Sequence, residues 1–255
     1  MTREFADTPM SRRDARRPHA KAKRRGGWGV FFRDLVVIIV VALLVSFLVK
    51  TFVVRSFYIP SGSMENTLQV QDRILVDELT PRFTGYQRGD IVVFRDPGGW
   101  LQGVTVPKED RGPIAEGVDW ALSIVGLSAP DSSEHLIKRV IGLPGDQVVC
   151  CNELGQTSVN GVPLDESAYV NYLPGPDRDE YEYDIVVPEG SLWVLGDNRN
   201  NSQDSRFHLD EPGQGFVPIS EVVGRAFLRT LPFDRFGGLG STDPAFIGIP
   251  DPAEK

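Results

Sequence analysis

The sequence has few of the residues on which much enzyme chemistry depends. Of its 255 residues, two are cysteine and three are histidine. The two cysteines, Cys150 and Cys151, are adjacent, so neither has a distant disulfide partner. They could form a strained vicinal disulfide, bind zinc, or lie on opposite faces of a strand. Zinc is disfavoured because no histidine or further cysteine stands beside them; we expect two strand residues, and no metal or other cofactor.

A cationic surface is also missing from most of the chain. Residues 56–255 contain 15 Lys/Arg and 31 Asp/Glu, a net charge of −16, whereas residues 1–34 contain 10 and 4, a net charge of +6. Nucleic-acid binding requires a cationic surface that neutralises phosphates, so this body is not expected to bind nucleic acid. The basic, apolar-poor arm of residues 1–29 is predicted to be disordered.

One long hydrophobic run follows the arm. Residues 35–49 contain no charge, but fifteen helical residues span only ~22 Å of a ~30 Å hydrocarbon core. Extension to Val54, with Lys50 reaching toward the headgroups, suffices for one crossing, and we predict a transmembrane helix over 30–54. A cleavable signal peptide begins similarly, but no convincing small-x-small cleavage site follows. The basic arm predicts a cytoplasmic N-terminus and an extracytoplasmic body at the plasma membrane.

Short β-branched runs bounded by Gly, Pro, Asp or Asn follow the helix and predict strands. They cover residues 73–79, 90–94, 135–142, 147–150, 184–188, 191–196 and 222–230. Asn160-Gly161 between apolar residues predicts a two-residue hairpin. We therefore expect a mainly β, antiparallel body over 55–231, carried by the single transmembrane helix.

Two segments interrupt this pattern. Residues 97–134 are rich in Gly and Pro and form a variable insertion, in which residues 117–127 could be a short helix. The Pro/Gly-rich tail, 232–255, is expected to pack loosely.

The stretch IPSGSMENTL, residues 59–68, offers a nucleophile. Gly62 allows close backbone approach to Ser63, while Met64 and Leu68 are apolar anchors for the turn. A serine nucleophile needs a base, but His19 lies in the basic arm. His135 and His208 have polar surroundings and no obvious aspartate to orient them.

Lys138 is a better candidate for the base. Strand alternation puts it on one face with Leu136 and Val140, where burial would disfavour the ammonium and lower its pKa. A neutral amine can take a proton from a serine hydroxyl. The alternative is a lysine at a strand edge that keeps its charge in water.

A third stretch, GDNRNNSQDSR at 196–206, is unusually dense in Asp, Asn, Ser and Arg. Taken alone, it could also be a polar turn held by Asx hydrogen bonds.

Four stretches in this order, 59–68, RGDIVVF at 88–94, IKRVIGLPGD at 137–146 and 196–206, together resemble the bacterial type I signal peptidases. The resemblance implies a β fold with Ser63 as nucleophile and Lys138 as general base. It implies that Ser61 assists the Ser63 N–H in the oxyanion hole and that Ser202 orients the amine. Four further residues would support the site and four would wall small substrate pockets. The first set is Asp204, Arg206, Asp197 and Arg139; the second is Phe57, Ile59, Pro60 and Ile137.

The chain departs from the family pattern in places. Asn66 stands where many members have proline, which suggests a less rigid turn. Leu136 replaces a common aromatic residue and could alter the pocket shape. One anchor replaces the two typical of Gram-negative members. The 97–134 region matches no part of the family pattern, so no residue role can be transferred to it.

The resemblance implies a membrane-bound serine endopeptidase that removes signal peptides with small residues at positions −3 and −1. Its partners would then be preprotein signal peptides and membrane lipid. Two alternatives stay open: a serine–lysine protease dedicated to narrower substrates, and a catalytically silent anchored β module. A silent module would not require Ser63, Lys138 and Ser202 together.

Overall fold

The computed structural model describes residues 27–52, 54–101, 135–170, 182–240 and 244–252. The chain divides into two compact units, Met1–Val45 and Ser46–Lys255. The predicted arm, apart from residues 27–29, and the predicted helix at 117–127 lie outside the described residues.

Helix α1 spans Gly27–Phe52, and the described side chains from Trp28 to Ser46 are all exposed. Within the described residues, Trp28–Ser46 is the one helical segment long and apolar enough to cross a membrane. A helix satisfies its backbone hydrogen bonds internally, which is what a hydrocarbon environment requires. The helix ends before the expected boundary at Val54, because Val54 begins the first strand.

The described strands are β1 (Val54–Tyr58), β2 (Arg73–Asp77), β3 (Ile91–Arg95), β4 (His135–Gly142), β5 (Gln147–Cys150), β6 (Ser158–Val159), β7 (Val162–Pro163), β8 (Tyr183–Val186), β9 (Ser191–Leu195), β10 (Val217–Pro218), β11 (Val222–Leu231) and β12 (Gly237–Gly238). A four-residue helix, α2 (Pro81–Thr84), lies between β2 and β3. The predicted mainly antiparallel β fold with one N-terminal apolar helix is confirmed.

Within the described residues the strands form two sheets. The large sheet has the order β1-β2-β11-β3-β4-β9-β10, with β12 added beside β11. The small sheet has the order β7-β6-β5-β8. All strand pairs are antiparallel. The last long strand in the sequence, β11, therefore lies between β2 and β3.

The small sheet contains the predicted hairpin. Asn160 and Gly161 have φ values of 51° and 80° between β6 and β7, as a turn with two left-handed residues requires. The expectation that Cys150 and Cys151 are both strand residues is wrong. Cys150 ends β5, the chain turns at Asn152, and the two sulfur atoms form a vicinal disulfide.

Strand β4 lies inside the large sheet and is buried on both faces after His135. Leu136 and Val140 belong to one core cluster with Trp100, while Ile137 belongs to another with Met64. The strand has consecutive apolar residues both before Lys138 and after Arg139, so apolar side chains point to both faces of the sheet. This pattern is typical of a strand that is buried on both faces.

The described C-terminal tail packs against the body only in part: the expectation of loose packing is wrong at Ala245 and Ile249, whereas Phe233, Phe236 and Ile247 are exposed. Ala245 and Ile249 are buried. The Pro250 carbonyl accepts hydrogen bonds from Asn160 Nδ2 at 2.9 Å and Arg88 Nη2 at 3.3 Å. Gly and Pro shape the turns of this segment, and its apolar side chains supply the packing.

Asp96 organises the start of the insertion. Its carboxylate accepts hydrogen bonds from four consecutive backbone N–H groups, those of Gly98, Gly99, Trp100 and Leu101. Trp100 is thereby held in the core, where its ring stacks on His208 at 4.2 Å. The remainder, 102–134, lies outside the described residues.

Candidate active site

Ser63 lies on a closed loop between β1 and β2. The loop ends are joined by hydrogen bonds from Ile59 N–H to the Asp72 carbonyl, at 3.0 Å, and from Gln71 N–H to the Ile59 carbonyl, at 2.9 Å. Met64 and Leu68 are fully buried beneath the loop. This nucleophile loop, residues 59–72, therefore presents Ser63 from a backbone anchored at both ends and in the middle.

Gly62 and Asn66 give the loop its path. A Cβ at Gly62 would lie 2.6 Å from Glu65 Oε1, and the other oxygen of that carboxylate accepts a hydrogen bond from Asn198. Asn66 has a φ of 93°, which proline, restricted to about −65°, cannot adopt. The loop therefore follows a path here that excludes the proline common in the family.

Lys138 extends from β4 to Ser63. Its Nζ lies 2.8 Å from Ser63 Oγ and donates a 3.0 Å hydrogen bond to the Ile137 carbonyl. The side chain is 3% exposed and its strand is paired on both sides, which rules out the alternative of a lysine at a sheet edge.

Burial also changes the protonation of this amine. Desolvation lowers the pKa of Lys138 from 10.5 to about 8, against the opposing charges of Asp204 and Asp197. A neutral amine is therefore accessible near physiological pH. At 2.8 Å its lone pair can accept the proton of the Ser63 hydroxyl.

Two predicted serines lie beside this pair. Ser61 is exposed, and its Oγ lies 3.5 Å from Ser63 Oγ. Ser202 is buried, and its Oγ makes no hydrogen bond within the described part of the chain. Its predicted bond to the Lys138 amine is therefore not made here, and its orienting role stays a prediction.

Gly196 packs closely against the nucleophile loop. A Cβ at this position would collide with the Ser202 side chain and lie 2.6 Å from the Ser63 carbonyl oxygen. The Gly196 N–H donates to Asp204 Oδ2 at 3.0 Å. Only glycine lets the 196–206 segment approach the Ser63 backbone this closely.

Two buried ion pairs lie in and beside this segment. Arg139 Nε and Nη2 donate to the two oxygens of Asp197 at 2.8 and 2.7 Å. Arg206 Nε and Nη2 donate to those of Asp204 at 2.8 and 2.9 Å. Burial acts to raise the pKa of Asp204, but the Arg206 charge and its hydrogen bonds outweigh burial and leave this pKa lowered. The Asp204 carboxylate thus stays negative near the Lys138 amine.

Asn198 connects the segment to the nucleophile loop and was missed by the sequence analysis. Its N–H donates to the Ser63 carbonyl at 3.0 Å, and its Nδ2 donates to the Gly62 carbonyl and Glu65 Oε2, both at 3.1 Å. Asn198 lies inside the polar 196–206 stretch, but that stretch contains three asparagines, and sequence alone does not separate their roles.

Three of the predicted pocket residues belong to one buried cluster. Phe57, Ile59 and Ile137 pack together in the core and are 4%, 1% and 7% exposed, whereas Pro60 is half-buried. Leu136, which replaces the family's aromatic residue, belongs to the cluster on the other face.

The two histidines of the body make other contacts. His135 packs edge-on against Phe57 at 5.2 Å, and His208 Nδ1 lies 2.9 Å from Glu211 Oε1. No group of three or more His, Cys, Asp or Glu side chains in the described ranges could hold a metal ion. The arrangement around Ser63 is thus a hydroxyl, a buried amine and flanking ion pairs.

Comparison with known proteins agrees with this chemistry. The model of the family "Signal peptidase, peptidase S26" matches residues 32–231. The chain is 39% identical over 228 residues to a signal peptidase I of Mycobacterium tuberculosis, covering 83% of this chain and 76% of that protein. It is 37% identical over 243 residues to a probable signal peptidase I of Mycobacterium leprae, covering 82% and 80%.

A solved signal peptidase I from Enterococcus faecalis is 27% identical, with a TM-score of 0.33, and covers 55% of this chain and 95% of that one. The family match spans most of the chain and includes Ser63, Lys138 and the 196–206 segment. This chain therefore belongs to the signal peptidase family, peptidase S26, and is a peptidase.

Proposed function

We propose that this chain is a membrane-bound serine endopeptidase that cleaves N-terminal signal peptides from exported preproteins with a Ser63/Lys138 dyad. The observation that carries the proposal is the 2.8 Å separation of Ser63 Oγ from a buried amine whose pKa is lowered to about 8. A serine nucleophile needs such a base. Among the described residues, the Lys138 amine is the basic group that is hydrogen-bonded to the Ser63 hydroxyl.

In the proposed acylation step, the neutral Lys138 amine takes the Ser63 proton while Oγ attacks the scissile carbonyl carbon. The Ser63 N–H and the Ser61 hydroxyl donate to the developing oxyanion. The ammonium then gives its proton to the leaving amine, which departs with the mature protein.

Deacylation repeats this chemistry with water. Lys138 removes a proton from water, the resulting hydroxide attacks the acyl-enzyme, and Ser63 recovers its proton. Ser202 is proposed to orient the amine through a hydrogen bond made in the substrate complex, since catalytic hydrogen bonds often tighten on binding. Asp197–Arg139 and Asp204–Arg206 are proposed to hold the supporting backbone in place.

Specificity is proposed to come from the apolar residues around the nucleophile loop. Phe57, Ile59, Pro60 and Ile137 would wall shallow pockets for small side chains at positions −3 and −1.

Helix α1 would anchor the enzyme in the plasma membrane, with the N-terminus in the cytoplasm and the β body outside. Membrane lipid would then be a second partner.

Cleavage of a model preprotein by the purified full chain tests the proposal, with Ser63→Ala as the critical variant. We expect kcat/KM to fall more than about 100-fold, a barrier increase of about 2.7 kcal/mol or more. Ser158→Ala, which removes a half-buried hydroxyl from β6, is the control and should retain activity. A folded Ser63→Ala variant with more than a hundredth of the activity would exclude Ser63 as nucleophile. Wild-type protein that never cleaves the preprotein would favour a dedicated substrate or the silent module.

A further inference from the structure

We propose that Glu166, between β7 and β8, is a positioning residue for the reaction and acts through Arg199 on the backbone beside Ser63. The proposal rests on the proposed function, since it takes Ser63 and Lys138 as the reacting pair. Glu166 lies outside the four stretches that resemble the family, and it contacts neither member of the dyad.

Glu166 holds the Arg199 guanidinium from one side. Its side chain is 3% exposed, and its two oxygens accept hydrogen bonds from Arg199 Nη1 at 2.7 Å and Nη2 at 2.6 Å. The Tyr169 hydroxyl donates to the same carboxylate at 2.8 Å. A bidentate pair of this kind sets the orientation of the guanidinium plane as well as its position.

Arg199 transmits that orientation to Gly196. Its Nε donates a 3.0 Å hydrogen bond to the Gly196 carbonyl. Its own carbonyl accepts a hydrogen bond from Arg206 Nη2 at 2.9 Å. The guanidinium therefore lies between the Glu166 carboxylate and the backbone of the 196–206 segment.

Gly196 is the point at which a shift would reach the reaction centre. It packs against the Ser63 carbonyl and the Ser202 side chain. Two residues later, the Asn198 N–H holds the Ser63 carbonyl at 3.0 Å. A small displacement of Gly196 would therefore move the nucleophile and the residues around the amine together, and misplacement by about 1 Å can cost ~100-fold in rate.

Glu166 is also linked, through Tyr169, to β4, the strand that carries Lys138. The Tyr169 ring lies beneath the Arg139 guanidinium, with the guanidinium carbon 4.1 Å from the ring centre. Arg139 follows Lys138 on β4 and pairs with Asp197. Burial, and then the Glu166 charge, raise the pKa of Tyr169 above its usual range, so its hydroxyl stays a donor. One carboxylate thus supports both sides of the dyad.

Glu166→Gln in the full chain, solubilised in detergent, tests this link. The variant keeps the side-chain shape but removes the negative charge that Glu166 presents to Arg199. We expect kcat for preprotein cleavage to fall about 10- to 100-fold, while KM stays within about threefold because no pocket contact is lost. The acid limb of kcat/KM should move to higher pH, since water entering a looser site would weaken the desolvation that lowers the Lys138 pKa. Arg199→Gln should cause a similar loss, and the double variant should be no worse than Arg199→Gln alone.

Asp146→Asn is the matched control. Asp146 is also a fully buried carboxylate in a bidentate pair, with Arg88 at 2.7 and 2.6 Å, but its other hydrogen bonds come from the Leu143 N–H after β4 and from Asn160 Nδ2 rather than from the 196–206 segment. Asp146→Asn should lower the melting temperature about as much as Glu166→Gln does, but leave kcat and the pH profile of cleavage unchanged. If folded Glu166→Gln matches Asp146→Asn in kcat and acid limb, Glu166 is only structural and the proposal fails.

Tyr169→Phe covers the case in which Glu166→Gln does not fold. It removes one hydrogen bond to Glu166 and keeps the ring beneath Arg139. We expect a two- to fivefold loss in kcat and faster amide exchange at residues 196–198; wild-type values of both would overturn the proposal. Ser63→Ala is assayed in parallel. Activity in that variant would refute the dyad, whereas amide exchange tests the Glu166 link without any turnover.

Discussion

The Lys138 amine must be neutral to act as a base, and its burial sets the pH at which this occurs. Burial is the largest influence on its pKa and moves it down from 10.5 to about 8. At pH 7, one unit below that value, roughly a tenth of the molecules would carry the neutral amine. The charged form therefore predominates at pH 7, and the proposed dyad predicts that activity grows as this form is lost.

We therefore expect kcat/KM to rise with pH and to level off above about 8, the pKa of Lys138. Lys138→Arg should be as inactive as Lys138→Ala, because a guanidinium keeps its charge at any usable pH. The measurement is a pH profile of preprotein cleavage between pH 6 and about 10.

Replacement of both His135 and His208 by Gln is the control for that profile. Most activity and the same acid limb should remain, because neither imidazole is bonded to Ser63. Loss of the acid limb in the folded double variant, or cleavage by Lys138→Arg at a comparable rate, would assign the base elsewhere.

At the scale of elements, the end of β11 and the segment after it hold the nucleophile loop in place. Arg235 Nη1 donates to both oxygens of the buried Asp72 carboxylate at 2.8 and 2.9 Å. Arg229 Nη1 donates to the Thr67 carbonyl at 2.8 Å. Both acceptors lie in the 59–72 loop, so its far end is held by residues from the C-terminal quarter of the chain.

Arg235→Ala should loosen the nucleophile loop. We expect a loss of at most about 3 kcal/mol in the free energy of unfolding, the low end for breaking a buried pair. The Gln69 N–H still binds Asp72, which limits the loss. Amide exchange in residues 59–72 should become faster and kcat should fall, as measured by exchange mass spectrometry and cleavage assays.

Arg225→Ala serves as the comparison. Arg225 lies on β11, is 21% exposed like Arg235 and likewise faces a buried aspartate, Asp90, at 3.6 Å. Because Asp90 lies outside the 59–72 loop, amide exchange in that loop and kcat should stay at wild-type values in Arg225→Ala. Equal effects of the two substitutions would mean that the Arg235 contact has no special relation to Ser63.

The elements themselves were largely predictable from the sequence. The β-branched runs gave the long strands after β1, because apolar alternation and bounding turn residues are local signals. Strand β1 was not among the predicted strands, and its first residue, Val54, was assigned to the helix. The two-residue strands β10 and β12 were missed, since Val-Pro and Gly-Gly have no strand signal of their own. The packing of Ile249 was missed because it depends on partners far away in the chain.

The site was predictable only in part, and for the same reason. Ser63 and Lys138 were each candidates on local grounds, but it was the four matching stretches that paired them, since nothing local to either residue shows that they meet. Glu166 stands alone between acidic and small residues, and its role depends on an arginine in a different segment. The sequence gives the residue types of such a network but not which side chains contact each other.

At the scale of the whole molecule, the charge asymmetry predicts one orientation in the membrane. Residues 1–34 carry a net charge of +6 and residues 56–255 a net charge of −16, on either side of the apolar run. The positive-inside rule then puts the N-terminus in the cytoplasm and the β body outside.

Protease added to intact spheroplasts should digest the β body and spare the N-terminal arm, as read with antibodies against each end. Permeabilised spheroplasts are the control, in which both parts become accessible. A β body that is protected in intact spheroplasts and digested after permeabilisation would reverse the topology and remove the basis for the proposed substrates.

The strand order has a consequence for truncated chains. Strand β11 lies between β2, which follows the nucleophile loop, and β3, which pairs with the strand of Lys138. A chain truncated before residue 222 lacks this strand, so β2 and β3 lose the partner that they share. We therefore expect such a fragment to leave Ser63 and Lys138 without the sheet that aligns them, and to show none of the proposed activity.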